Sequence, residues 1–143
     1  MFSNADAGGQ KINEYIKKNN NFINFSNLNE KYFLSIMKYA KFMIGNSSAG
    51  IREAPTFKIP VINIGTRQSG RLRSKNIIDC NYSKKSIENS IFKVLNDKKF
   101  KIQNNKCKNL YQSKNTSKKI VLEILRQIKK GINIQKKFYD KKK

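Results

Sequence analysis

The chain has 143 residues, the size of one domain with a core of its own. Its 31 Lys and Arg against 9 Asp and Glu give a formal charge of +22, which ordinarily points to nucleic acid, an acidic membrane surface or another anion. The lysines are scattered in pairs from Lys17 and Lys18 to Lys129 and Lys130, beside the abundant Asn and Ile of an AT-biased coding sequence, so the charge reads as solvated surface rather than a nucleic-acid face.

No apolar run approaches the roughly 20 residues of a bilayer span, and "MFSNADAGGQ" has neither the basic nor the apolar region of a signal peptide. Cys80 and Cys107, with no histidine anywhere, make no metal site. The expectation is a soluble cytoplasmic protein with two reduced thiols, no cofactor, no metal and no membrane partner.

In chain order, residues 9 to 18 fit a helix with Ile12 and Ile16 on one face, and "NFINF" at 21 to 25 reads as a short strand. Residues 30 to 39 are amphipathic, with Phe33, Ile36 and Met37 at helical spacing. "KFMIG" is a buried-type strand, 47 to 54 a helix, "PVINIG" at 60 to 65 a strand and "NIID" at 76 to 79 another. Residues 84 to 95 form a helix that turns Ile87, Ile91 and Val94 or Leu95 inward. A polar connection of unassigned shape follows. Ser117 then caps a last helix whose Ile120, Val121, Ile124, Leu125 and Ile128 make one broad stripe, read as core. Strands alternating with helices predict an α/β fold with a parallel sheet covered on both faces. Residues 1–134 are read as one lobe and 135–143 as a loose lysine-rich end.

In an open parallel sheet, ligands sit beyond the carboxyl ends of the strands, where a short turn enters a helix. "MIG" is such a strand end and "NSSAG" such a turn. Small residues admit a ligand close to the backbone, and the N–H groups and helix mouth favour an anion such as phosphate. Ser47 and Ser48 add hydroxyl donors, although serines there also serve as plain helix caps. The next strand ends in "INIGTRQSGRLR", and four of the five arginines (Arg52, Arg67, Arg71 and Arg73) fall between residues 52 and 73. Their planar forks suit phosphate or carboxylate better than lysine does. Glu53, about two turns inside the helix mouth, would repel a phosphate. It either accepts hydrogen bonds from paired sugar hydroxyls, as acidic residues do on ribose in dinucleotide folds, or pairs with Arg52 or a nearby lysine.

The run "IGNSSAGIREAPTFKIPVINIGTRQSGRLRSKNIID", with "SNADAGGQKI" and "YFLSIMKYAKFM" before it, resembles the signature segment of the hydrolysing UDP-N-acetylglucosamine 2-epimerases, the sialic-acid-type branch. The likeness spans residues 2–97. It implies the second, UDP-binding lobe of a glycosyltransferase-B-type fold made of two Rossmann-like lobes. Carried over residue by residue, it makes Asn4, Ser47, Ser48, Glu53 and Arg67 UDP-site positions: the serines at the diphosphate, Glu53 at the ribose and Arg67 completing the anion pocket. In the family reaction a base takes the proton at C2, UDP leaves from C1, and water adds to the glycal to give N-acetylmannosamine.

The resemblance also implies what this sequence does not carry. The family's catalytic carboxylates and histidine precede the matching segment, so no catalytic residue is assigned here, and a separate chain supplying the first lobe is an expected partner beside UDP or a UDP-amino sugar. If the strand order is 3-2-1-4-5-6, the first two strands of the lobe are missing, "NFINF" loses its neighbours, and the "KFMIG" strand is left with an open edge. Where relatives carry a tyrosine followed by alternating glycines, Tyr111 is followed by none. A non-catalytic nucleotide-sugar-binding module and a basic nucleic-acid binder are the two competing functions.

Overall fold

The computed structural model describes residues 9–19, 21–25 and 27–131. They divide into two compact units, one ending at Leu110 and the other beginning at Tyr111. The expected lysine-rich end beyond Ile134 lies outside the described residues.

In the first unit, three short strands form one parallel sheet in the order β1 (Met43–Gly45), β2 (Val61–Ile64), β3 (Ile77–Cys80). β2 is the middle strand, and Val61, Ile62 and Asn63 in succession are buried, so both of its faces are covered. The register sets Ile44, Ile62 and Ile78 in one row and Gly45, Asn63 and Asp79 in the next. On one face Val61, Met43 and Ile77 pack with Met37 of α2 (Glu30–Tyr39), Ala49 of α3 (Ala49–Arg52) and a 3-10 turn, Ala54–Phe57. On the other, Ile62, Ile78 and Cys80 pack with Val94 of α4 (Lys84–Asn96) and Phe100 of α5 (Lys98–Asn105). The result is a three-layer Rossmann-like α/β unit, the fold class expected from the alternation of elements.

Local chemistry sets the helix starts. Asn29 and Ser83 accept hydrogen bonds from backbone N–H groups two and three residues on, at 2.9 and 3.3 Å, and so cap α2 and α4. Asp97 does the same for Phe100, which starts α5 inside the stretch read as a polar connection. On α4 it is Val94 that turns inward, and Leu95 is exposed.

Three expectations fail. Residues 21–25 form no strand, because a strand exists only by pairing and no described strand pairs with them. The predicted helix over 47–54 is shorter: α3 is a single turn and gives way at Glu53 to the 3-10 turn, whose Pro55 cannot donate the bond that would continue α3. The last helix, α6 (Thr116–Lys130), begins one residue before Ser117, after Asn115 in the left-handed region. Its predicted stripe is not core, since Ile120, Val121, Ile124, Leu125 and Ile128 are each at least half exposed. Likewise α1 (Gly9–Lys18) forms as predicted but leaves Ile12 exposed.

Among the described residues β1 pairs only with β2, so its other edge is open. Cys80 and Cys107 are buried free thiols. Among the described residues no helix is long and apolar enough to cross a membrane.

The tight seat of α3 on β2 depends on Gly50, where an added Cβ would lie 2.7 Å from Val61 Cγ1. Gly50→Ala gains helix propensity but overpacks a buried valine. It is expected to lower unfolding free energy by about 1 kcal/mol net, measured by urea denaturation; an unchanged or raised midpoint would refute the close seat.

Candidate functional site

The carboxyl ends of β1 and β2 lie side by side, and the loops leaving them meet. After β1 the chain turns through Asn46, Ser47 and Ser48 into α3. Ser47 Oγ accepts from the Ala49 N–H at 3.3 Å, a weak local cap, whereas Ser48, at the N-cap position, makes no capping bond with its side chain. The backbone N–H groups of both serines have no hydrogen-bond partner among the described residues. With one turn of helix behind them, these donors owe little to a helix dipole, which needs several aligned peptides. What the turn offers an anion is free N–H and hydroxyl groups on small residues.

The loop after β2 supplies positive charge. It opens at Gly65, whose φ of +76° lies in the left-handed region and whose missing Cβ leaves room for the Tyr82 ring; a Cβ would stand 2.1 Å from the phenolic oxygen. Arg67 Nη1 donates to the Asn46 carbonyl at 3.4 Å, and Gln68 Nε2 donates to the same oxygen at 2.7 Å. These two bonds tie the second loop to the first. Arg67 and Arg71 have no carboxylate partner among the described residues. Arg73 is committed instead to both oxygens of Asp79 and to the Gln68 carbonyl, so it is structural rather than a third free fork. Of the arginines gathered between residues 52 and 73, Arg67 is the one whose side chain reaches the first loop, through the Asn46 carbonyl, while Arg73 is a buttress and Arg52 lies beside Glu53.

Glu53 ends α3, about one turn from the mouth rather than two. Its Oε1 lies 3.8 Å from Arg52 Nε, and its Oε2 is buried with no hydrogen-bond partner among the described residues. Both readings of Glu53 thus keep a share: one oxygen faces Arg52 and the other is an unused acceptor. Asn4 lies outside the described residues. The structure brings Arg67 to the serine turn through Asn46 and sets Glu53 one helical turn along the same segment.

Sequence reasoning missed Gln68, Asn63 and Asp79. Asn63 is buried in the middle strand and donates to Asp79 Oδ1 at 2.7 Å. Its signal was available: an amide in the centre of "VINI" and a carboxylate in "IIDC", at the same place in two neighbouring strands. Beside this network, an open cleft of about 550 Å³ runs along the carboxyl ends of β2 and β3, lined by Thr66, Ser69, Asn81, Tyr82 and Ser86 among others.

Residues 1–126 match the family described as UDP-N-acetylglucosamine 2-epimerase. The chain belongs to the UDP-N-acetylglucosamine 2-epimerase family. It is 50% identical over 104 residues to the GDP/UDP-N,N'-diacetylbacillosamine 2-epimerase (hydrolyzing) of Campylobacter jejuni, covering 69% of this chain and 26% of that protein. It is 45% identical over 93 residues to the UDP-N-acetylglucosamine 2-epimerase of Neisseria meningitidis serogroup B, covering 64% and 25%. With the polysialic acid biosynthesis protein P7 of Escherichia coli it shares 35% identity over 141 residues, 96% of this chain and 36% of that one. This epimerase-family chain thus spans about a quarter to a third of the length of the curated relatives it matches.

Proposed function

We propose that this chain is the UDP-binding part of a hydrolysing UDP-N-acetylglucosamine 2-epimerase. The observation that carries the proposal is the joining of two strand-end loops at the Asn46 carbonyl, which sets a guanidinium free of carboxylates beside a turn of unused N–H and hydroxyl donors. In this reading Ser47 and Ser48 donate to the diphosphate, Arg67 closes over it and Glu53 accepts from the ribose hydroxyls. Asn4 joins them as a nucleotide contact.

The chemical contribution of such a site is to the leaving group. When the C1–O bond breaks, negative charge grows on the departing diphosphate. Fixed donors at that point favour the more highly charged leaving group over the bound diester and lower the barrier. Proton removal at C2 is assigned to no residue of this sequence. Relatives named for N-acetylglucosamine and for diacetylbacillosamine nucleotides both match, so the substrate class is a UDP-linked N-acetylated amino sugar.

Calorimetric titration with UDP tests the reading. The wild-type chain is expected to bind one UDP. Arg67→Ala should weaken binding about tenfold, the loss of a charge-assisted contact worth about 1.5 kcal/mol. No heat of binding in the wild type, or equal affinity in the variant, would remove the cradle. The same titration with single-stranded DNA should show no site of comparable affinity.

A further inference from the structure

A buried glutamine at the tip of a loop asks for a reason. Gln68 is 2% exposed, although it stands beyond the end of β2 among residues that face water. Its amide nitrogen is spent on the Asn46 carbonyl, and its Oε1 is buried with no hydrogen-bond partner among the described residues. The side chain therefore gives up an acceptor bond, a costly loss in a buried place, to make one donor bond between two loops.

That bond ends a longer line of contacts. Buried Asn63 of β2 donates to Asp79 of β3, Asp79 is gripped by both oxygens to Arg73, and Arg73 Nη2 donates to the Gln68 carbonyl at 2.6 Å. The line runs from the middle of the sheet, across the end of β3, to the turn after β1. Its far end is the oxygen that Arg67 also reaches, more loosely, at 3.4 Å. Strand pairing already fixes β1, β2 and β3 through their backbones. What it leaves loose is the separation of the two loops beyond the strands. This line fixes that separation.

We propose that Gln68 is a positioning residue: held by Arg73, Asp79 and Asn63, it sets the Arg67 guanidinium at a fixed distance from the Ser47 and Ser48 donors, matched to a nucleoside diphosphate. The inference rests on the reading that these loops cradle UDP. A planar fork contacts two phosphate oxygens only in one orientation, so a misplacement of about 1 Å loses much of its contribution. Gln68 touches no ligand in this scheme; it acts through Arg67 and through Asn46.

The test separates positioning from plain stabilisation. UDP affinity is measured for the wild type, Gln68→Ala, Arg73→Lys, Arg67→Ala and the double variant Arg67→Ala with Gln68→Ala. Every titration is run well below the melting temperature, where circular dichroism shows the chain folded. Gln68→Ala and Arg73→Lys are each expected to bind UDP about tenfold more weakly. In the Arg67→Ala background, Gln68→Ala should cost less than about twofold, because the group it positions is already gone. A lowered melting temperature with unchanged UDP affinity, or a full tenfold loss repeated in the Arg67→Ala background, overturns the inference. Should Gln68→Ala fail to fold, Arg73→Lys alone and with Arg67→Ala gives the same comparison. A wild-type chain that does not bind UDP instead overturns the cradle, and is recognised by the absence of any signal before a variant is made.

Discussion

Ile62→Ala is expected to destabilise the first unit by about 2–5 kcal/mol, the range for an isoleucine cut back to alanine in a core that cannot close around the gap. Ile62 is 0% exposed in the middle strand and touches the cluster that includes Cys80, Val94 and Phe100. Helices cover both faces of the sheet there, and Val94 of α4 and Phe100 of α5 are themselves buried against the strands, so the gap is not readily filled. Domains of this size have about 5–15 kcal/mol of stability in total, so the loss is a large share of the whole. The fall in melting temperature should be about 10 °C or more. The control lies one strand away. Ile44 is paired in register with Ile62 and sits in the same row, but on the open-edge strand it is 44% exposed. Ile44→Ala should cost less than about 1 kcal/mol, since much of its side chain already meets water. Equal losses at the two positions would mean that the edge of β1 is covered in solution.

The contrast between those isoleucines also marks what the sequence can disclose. Helices α1, α2 and α4 were legible to within a residue, because apolar spacing and a capping Asn or Ser are local signals. α5 was missed although Asp97 caps it, since Phe100 and Ile102 make too thin a stripe to stand out among lysines and asparagines. The apolar period of α6 was read correctly and its burial was not: period belongs to the chain, whereas burial belongs to whatever packs on it. Residues 21–25 failed as a strand for a related reason, that pairing needs a neighbour. At the site, the gathering of arginines between 52 and 73 was visible. Which of them are free was not, because Arg73 is claimed by Asp79, and its grip on the Gln68 carbonyl folds the loop back on itself. Glu53 lies nearer than expected to the helix mouth because α3 starts at Ala49 rather than at residue 47.

Glu53→Ala should weaken UDP binding by about 1–3 kcal/mol, or roughly 5- to 150-fold, while leaving affinity for inorganic pyrophosphate nearly unchanged. The free protein holds this carboxylate in a poor state. Its Oε1 is 3.8 Å from Arg52, a long contact between groups that are 57% and 33% exposed, and such pairs contribute little. Its Oε2 is buried without a hydrogen-bond partner among the described residues, the costly arrangement for a charged oxygen. A ribose offers two adjacent hydroxyl donors, the complement of one carboxylate, and Arg52 is exposed enough to swing aside as the sugar arrives. Pyrophosphate offers no hydroxyl pair and would meet Glu53 only as a like charge. The ratio of the two affinities therefore isolates the proposed sugar contact from the phosphate contacts proposed for Ser47, Ser48 and Arg67. Glu53→Gln should lie between wild type and alanine, because the amide keeps one acceptor and loses the charge. If alanine weakens UDP and pyrophosphate alike, Glu53 acts by shaping the loop and not by holding the ribose. If it weakens neither, the carboxylate belongs to Arg52 alone.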